Sequence, residues 1–309
     1  MKIYQGLTDK KLKTAPRAAA IGIFDGVHRG HRKILKSAME SARRNRQRSM
    51  VITFEPHPSR VLSPAKKEPL ILMSLAHRLK FFEKMGVDEA LVIPFNRAFS
   101  RITREAFLER LLLKRLGVRS LSVGEDFRFG RGAEGNAEFL SQKAKQKGFA
   151  LFLVSPLKEG SQVISSTRIR HLIEKGRLRE AEKMLGRPVS VYGTVKHGRG
   201  RGKSVGFPTA NLNPHHETLP PPGVYAALGF LGGKKLRGMI HIGERPTFQD
   251  KEKSLEVHFL DFHRDIYGRE LELIFISRLR SVRRFKDARA LGQAIRKDVL
   301  KAKKALSGR

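Results

Sequence analysis

Apolar and polar positions alternate in two different rhythms along this chain. Through the first half, short apolar runs that read as buried strands are separated by stretches whose apolar residues recur at helical spacing. Residues 18–24 form the first such run and residues 30–48 the first helical stretch. Residues 50–54, 89–93, 121–123 and 151–154 read as further strands, and residues 75–85 as a helix ending at Gly86. Thr103 has the position of an N-cap for a helix that carries Phe107, Leu108, Leu111, Leu112 and Leu116 on one face and stops at Gly117. Strands alternating with helices predict βαβ units and a mainly parallel, Rossmann-like α/β sheet.

The rhythm changes near Leu185, where Gly186 and Pro188 end a helix. Residues 225–230 and 236–242 flank LGGKK, a hairpin signal, and residues 255–260 and 271–276 flank YGRE. Several short strands at regular spacing predict a small antiparallel β-barrel. Ala288, Leu291, Ile295, Val299, Ala302 and Leu306 then make the apolar stripe of a C-terminal helix. Two domains follow, residues 1–184 and 185–309.

Composition narrows the class. With 309 residues and 40% hydrophobic content there is material for two packed cores. The absence of cysteine excludes a disulfide scaffold, a zinc finger and thiol catalysis, and agrees with a reducing cytoplasm. The N-terminus lacks the apolar run of a signal peptide, and no stretch approaches the roughly 18 apolar residues of a membrane helix. A soluble protein with no membrane association is the expectation. Lys and Arg total 63 against 29 Asp and Glu, a formal net charge of +34, which favours polyanionic partners without choosing among nucleic acid, membrane and phosphorylated small molecules.

Candidate chemistry sits in loops between strands and helices. In GIFDGVHRGH (22–31), glycines allow close backbone approach, and the helix start points unpaired N–H groups at the loop. His28 and His31 can face one anion there; two satisfied surface histidines are the plain alternative, and a metal site lacks a third ligand. VISSTRIR (163–170) again runs from strand into helix, so that Ser165, Ser166 and Thr167 can cap it while contacting phosphate, with Arg170 one turn on. Alone, Ser-Ser-Thr is merely a good N-cap. VGEDFRFGRG (123–132) is a polar, glycine-ended loop directly after a strand.

In the second half, KHGRGRGK (196–203) combines glycines with cations, either a phosphate cradle or a mobile basic loop. Thr209 and Asn211 share one face of an extended segment and offer hard oxygen ligands suited to Mg²⁺ with bound nucleotide. In LEVHFL (255–260), alternation separates Glu256 from the apolar Leu255 and Val257, so Glu256 can face a substrate hydroxyl as general base. A solvated side chain is the alternative for one such Glu.

These segments, with TFEPHP (53–58), resemble the bacterial bifunctional riboflavin kinase/FMN adenylyltransferase (FAD synthetase) family. Its nucleotidyltransferase motifs His-x-Gly-His and Ser-Ser-Thr-x-x-Arg correspond to residues 28–31 and 165–170. The resemblance implies that His28, His31, Ser165, Ser166, Thr167 and Arg170 grip ATP phosphates. It implies that Gly22, Phe24, Asp25 and Gly30 line the nucleotide pocket, and that Phe54, Pro56, His57 and Asp126 lie toward FMN. YGTVKHG (192–198), GFPTAN (206–211), LPPPGVYA (219–226), IGERPTF (242–248) and residues 255–268 resemble the riboflavin kinase module, a six-stranded barrel. There Gly198, Gly200, Gly202 and Lys203 would cover ATP phosphates, Thr209 and Asn211 hold Mg²⁺, and Glu256 act as base. The implied reactions convert riboflavin to FMN with ATP, then FMN and ATP to FAD and pyrophosphate.

The chain departs from the family pattern at His241, usually Asn, at His263 and Arg264 within DFHRDIYG (261–268), at Val282, and at Lys203. Two other readings stand beside the bifunctional enzyme. A nucleic-acid-binding protein is suggested by the charge, but the chain has no Trp and four Tyr for base stacking, leaving nucleic acid as a non-specific side interaction. A different adenylyltransferase with an inactive kinase module would keep the fold.

Overall fold

Fully apolar runs become the inner strands of a parallel sheet, because strands covered on both faces have no solvent side on which to place polar residues. In the computed structural model, which describes residues 1–62, 71–197, 207–215, 217–246, 251–262 and 264–308, this sheet opens the chain. Its strands are β1 (Lys2–Gln5), β2 (Arg17–Ile21), β3 (Arg48–Glu55), β4 (Glu89–Pro94), β5 (Val118–Gly124) and β6 (Ala150–Val154). They lie in the order β1-β4-β3-β2-β5-β6, with every pairing parallel.

Helix α1 (Arg29–Arg44) buries Leu35, Ala38, Ser41 and Ala42 against β2, β3 and β5. It stops earlier than the pattern over residues 30–48 suggests. Asn45 returns its side-chain amide to the Ser41 carbonyl at 2.9 Å, and Arg46 turns to φ 53, which frees Arg48 to begin β3. Further helices include α2 (Pro58–Leu62), α3 (Leu75–Met85), α4 (Arg97–Ser100) and α5 (Ala137–Lys147). The helix predicted after Thr103 forms with its expected apolar face buried and the Thr103 hydroxyl accepting from the Ala106 amide at 3.2 Å. Over Ala106–Arg115 it has π-helical winding.

At the end of the sheet where the strands begin, Arg17 and Glu89 form a buried ion pair at 2.6 Å, each 2% exposed. Arg17 also donates to the Leu116 carbonyl at 2.6 Å, and the Tyr4 hydroxyl donates to Glu89 at 3.0 Å. Burial, and then this bond to Glu89, push the Tyr4 phenol above its ordinary pKa.

After the short hairpin β7 (Lys158–Glu159) and β8 (Gln162–Val163), helices α6 (Ser166–Glu174) and α7 (Leu178–Leu185) lead into the second half. There β9 (Ser190–Lys196), β10 (Ala210–Asn213), β11 (Gly223–Leu231), β12 (Lys234–Pro246), β13 (Lys251–Phe259) and β14 (Glu270–Arg280) close an antiparallel barrel in the order β10-β13-β12-β11-β14-β9. The Gly232–Gly233 turn joins β11 to β12, as the LGGKK segment predicts.

The C-terminal helix α8 (Ala288–Leu306) covers the barrel wall. Ala302 and Leu306 pack on Ala226, Leu228 and Met239, while Asp298 pairs with Arg280 at 2.8 Å. One barrel carboxylate is enclosed: Glu217 accepts from the Ser74 amide and hydroxyl at 2.8 and 2.7 Å and from the Tyr192 amide at 2.9 Å. Contacts divide the chain into one unit of Met1–Pro69 with Leu75–Ser166, and another of Leu70–Ser74 with Thr167–Arg309.

Candidate active sites

In the first unit the turn leaving β2 holds the first group of motif residues. The strand ends at Ile21 rather than at residue 24, because the chain then turns through positive φ at Phe24 (54°), Gly26 (85°) and Val27 (39°). Bulky and β-branched residues are disfavoured there by about 1–3 kcal/mol each. Burial holds them: Phe24 and Val27 are 1% and 0% exposed. Such strain collects where a backbone must present groups to a ligand.

The turn places His28 as the N-cap of α1, its Nδ1 accepting from the His31 amide at 3.3 Å. An Nδ1 that accepts leaves the proton on Nε2, so the buried ring keeps one N–H donor. The His28 and His31 rings stack with centroids 3.5 Å apart, and Phe24 meets His31 edge-on at 5.4 Å. Gly30 allows this fold-back, since a Cβ there would lie 3.2 Å from the His28 ring, and a Cβ at Gly22 would lie 3.1 Å from the Phe24 ring.

Ser166, the first residue of α6, donates to the Asp25 carbonyl at 2.8 Å and ties the second motif to this turn. Ser165 precedes it, Thr167 follows, and Arg170 is one turn further along the same helix. A residue absent from the sequence reading supports the turn from behind. Arg78 on α3 donates to the Ile23 carbonyl at 2.6 Å, the Thr53 hydroxyl at 2.9 Å and the Glu55 carboxylate at 2.8 Å.

The residues expected toward the flavin lie at the carboxyl ends of β3 and β5. Phe54 packs edge-on against Phe95 at 5.9 Å, beside a run of rings that continues through Phe99, Phe107 and Phe129. Pro56 follows a cis peptide bond, and His57 Nδ1 accepts from the Ser59 amide at 3.2 Å. Asp126 is exposed just beyond β5, where a Cβ on Gly124 would lie 2.7 Å from its Oδ1.

In the barrel, β10 and β13 run side by side with Asn211 directly opposite Glu256. The Thr209 hydroxyl donates to Glu256 Oε2 at 3.3 Å, so the three residues named for this site come together. Leu255 and Val257 point into the barrel, 2% and 1% exposed, which leaves Glu256 on the outer face. His258 bonds the Pro208 carbonyl at 2.8 Å and fixes the approach to Thr209. Gly198, Gly200, Gly202 and Lys203 lie outside the described residues, as does His263.

The donors here are a hydroxyl, an amide oxygen and a carboxylate, which suit a hard cation carrying phosphate oxygens and water. Among the described residues no cluster of three or more His, Cys, Asp or Glu forms a self-sufficient metal cage.

Next to Glu256 on β12 stands His241. Burial pushes its imidazole below the ordinary 6.5, with Glu256 drawing it up and Arg280 down. The folded barrel therefore favours neutral His241, whereas the unfolded chain takes up the proton near pH 6.5. Stability should fall as pH drops through about 6.5 and level off below the folded-state value. His241→Asn should flatten this dependence in thermal melts between pH 7 and 5; an unchanged slope assigns the dependence elsewhere.

A family model described as FAD synthetase matches residues 10–168, and one described as riboflavin kinase matches residues 185–306. The bifunctional riboflavin kinase/FMN adenylyltransferase of Escherichia coli K12 is 38% identical over 308 residues, covering 98% of this chain and 97% of the relative. The protein of the same description from Listeria monocytogenes is 36% identical, covering 96% and 94%. A crystal structure described as a macrolide-efflux protein from Streptococcus pneumoniae superposes with a TM-score of 0.84 at 29% identity, covering 98% of this chain and 99% of that one. Among the described residues of the present chain, no helix is long and apolar enough to cross a membrane.

Proposed function

The chain belongs to the bifunctional riboflavin kinase/FMN adenylyltransferase family, and from that premise we infer that it runs two ATP-dependent reactions in sequence. Riboflavin takes the γ-phosphoryl group of one ATP to give FMN and ADP. FMN then takes the adenylyl group of a second ATP to give FAD and pyrophosphate. The observation that carries this reading is the pair of family matches lying consecutively on one chain. Residues 1–184 are assigned to FMN adenylylation and residues 185–309 to riboflavin phosphorylation.

For the kinase, Glu256 is assigned the general base that takes the proton of the ribityl hydroxyl as its oxygen bonds the γ-phosphorus. The hydrogen bond from Thr209 holds the carboxylate in place. Thr209 and Asn211 are assigned to Mg²⁺, in keeping with their oxygen donors. When bound, that ion neutralises charge on the nucleotide phosphates. Gly198, Gly200, Gly202 and Lys203 are assigned to covering those phosphates.

For the adenylyltransferase, an FMN phosphate oxygen bonds the α-phosphorus as the bond to the departing pyrophosphate breaks. No protein nucleophile is needed. The residues bind, orient and offset charge. His28, through Nε2–H, and His31 are assigned to the phosphates at the α1 N-terminus, where the helix dipole favours anions. Ser165, Ser166, Thr167 and Arg170 are assigned to the same phosphates, with Gly22, Phe24, Asp25 and Gly30 forming the surrounding turn. Phe54, Pro56, His57 and Asp126 are assigned to FMN; the aromatic run behind Phe54 suits a flat tricyclic ring.

Purified protein given riboflavin, ATP and Mg²⁺ should accumulate first FMN and then FAD by chromatography. Folded protein that forms neither product would overturn the reading.

A further inference from the structure

One edge of the N-terminal sheet is unusual for a soluble fold. β6 closes the strand order on that side, and its sequence, ALFLV, carries no charge, proline or glycine. Edge strands normally carry such residues to discourage added strands. Two of its side chains are largely in solvent, Phe152 at 36% and Leu153 at 37% exposed.

Backbone alternation tells which groups face out. Val154 turns its carbonyl to β5, where it accepts from the Glu125 amide at 3.3 Å. The peptide groups of Leu151 and Leu153 therefore point away from the sheet, and no described strand pairs with them.

Beside this edge lies a groove of about 830 Å³ between β6 and the first turns of α1. Ser122, in register with Phe152, bonds Ser37 of α1 at 3.1 Å, which puts Phe152 on the α1 side of the sheet. The α1 wall brings Arg29, Arg32, Lys33 and Lys36 to the groove against one carboxylate, Glu40. Arg29 also forms an ion pair with Glu159 on the β7–β8 hairpin. Burial, and to a lesser degree the charge of Arg29, lower the Arg32 pKa.

We propose that this groove takes an extended acidic segment of a partner protein, which adds to β6 as a further strand. Outward amides and carbonyls supply main-chain bonds, Leu153 on the face away from α1 meets the apolar residues of an alternating segment, and the α1 cations meet its acidic ones. Charge selects this occupant. A second copy of this chain, itself at +34, would bring like charge to the wall. Single-stranded nucleic acid would find one aromatic ring in the lining and would leave the strand edge unbonded.

The test titrates full-length protein into a fluorescein-labelled (Glu-Val)₅ decapeptide and follows anisotropy. Comparators are (Lys-Val)₅, (Glu-Val)₅ N-methylated at alternate residues so that one edge cannot donate, and a 15-nucleotide oligo(dT). Binding of (Glu-Val)₅ should weaken at least about tenfold on N-methylation, and similarly in the double variant Lys33→Glu/Lys36→Glu. That variant should still form FAD from FMN, which reports its folding. Leu153→Pro removes an outward amide without touching the β5 ladder and should weaken binding in the same way. Equal affinity for the N-methylated peptide, tighter binding of oligo(dT), or no binding of (Glu-Val)₅ would each overturn the proposal.

Discussion

Glu256→Ala should lower riboflavin phosphorylation by about 10²–10⁴-fold, the usual contribution of a positioned general base. The same protein should still make FAD from supplied FMN at the parental rate. Glu256 accepts from the Thr209 hydroxyl and faces Asn211 on the next strand, whereas the histidine turn belongs to a separate compact unit. Glu256→Gln separates charge from shape: it retains a hydrogen-bonding side chain but cannot take a proton at neutral pH. It should therefore be nearly as slow as the Ala variant with a riboflavin KM close to the parent. Separate assays from riboflavin and from FMN check this. A Glu256→Gln enzyme phosphorylating riboflavin at the parental rate would remove Glu256 from the proton transfer, and loss of both activities would argue against independent sites.

The largest stability effect is expected at the end of the parallel sheet opposite the histidine turn. Glu89→Ala leaves the Arg17 guanidinium buried without its carboxylate and takes the acceptor from Tyr4. Breaking a buried pair on one side costs about 3–5 kcal/mol. For a unit of this size each kcal/mol moves the melting midpoint by about 2–4 °C. Scanning calorimetry should show a large fall in the transition of the N-terminal unit. The double variant Arg17→Met/Glu89→Leu should recover much of that loss, because apolar residues of similar volume leave no buried charge behind. A double variant no more stable than Glu89→Ala would mean that the network supplies more than charge compensation.

Much of the architecture is legible in the sequence because its signals are local. Apolar runs, helical stripes and the Thr103 cap give every strand of the parallel sheet but β1, together with α1, α3 and the helix after Thr103, but not α5. Residues 75–85 coincide with α3. Motif spacing also names His28, Ser166, Thr209, Asn211 and Glu256, which the fold carries to two places.

What escapes a local reading is long-range or backbone-borne. Arg78 reaches Ile23 and Thr53 across 55 and 25 positions, and Glu217 reaches Ser74 across 143, so no window of sequence contains both partners. The early end of β2 depends on positive φ at Phe24 and Val27, residue types that give no warning of it. The π-helical winding of Ala106–Arg115 is equally silent, since its apolar face matches an α-helical stripe. His241 stands out only as a departure from the family pattern; its position beside Glu256 requires the β12–β13 register.

Two chemically different uses of ATP reside on one chain. Riboflavin incubated with ATP labelled at either the γ- or the α-phosphorus separates them. FMN should carry only the γ label, and FAD should carry one phosphorus from each source, with unlabelled pyrophosphate released from α-labelled ATP. FAD without the α label, or FMN without the γ label, would contradict it.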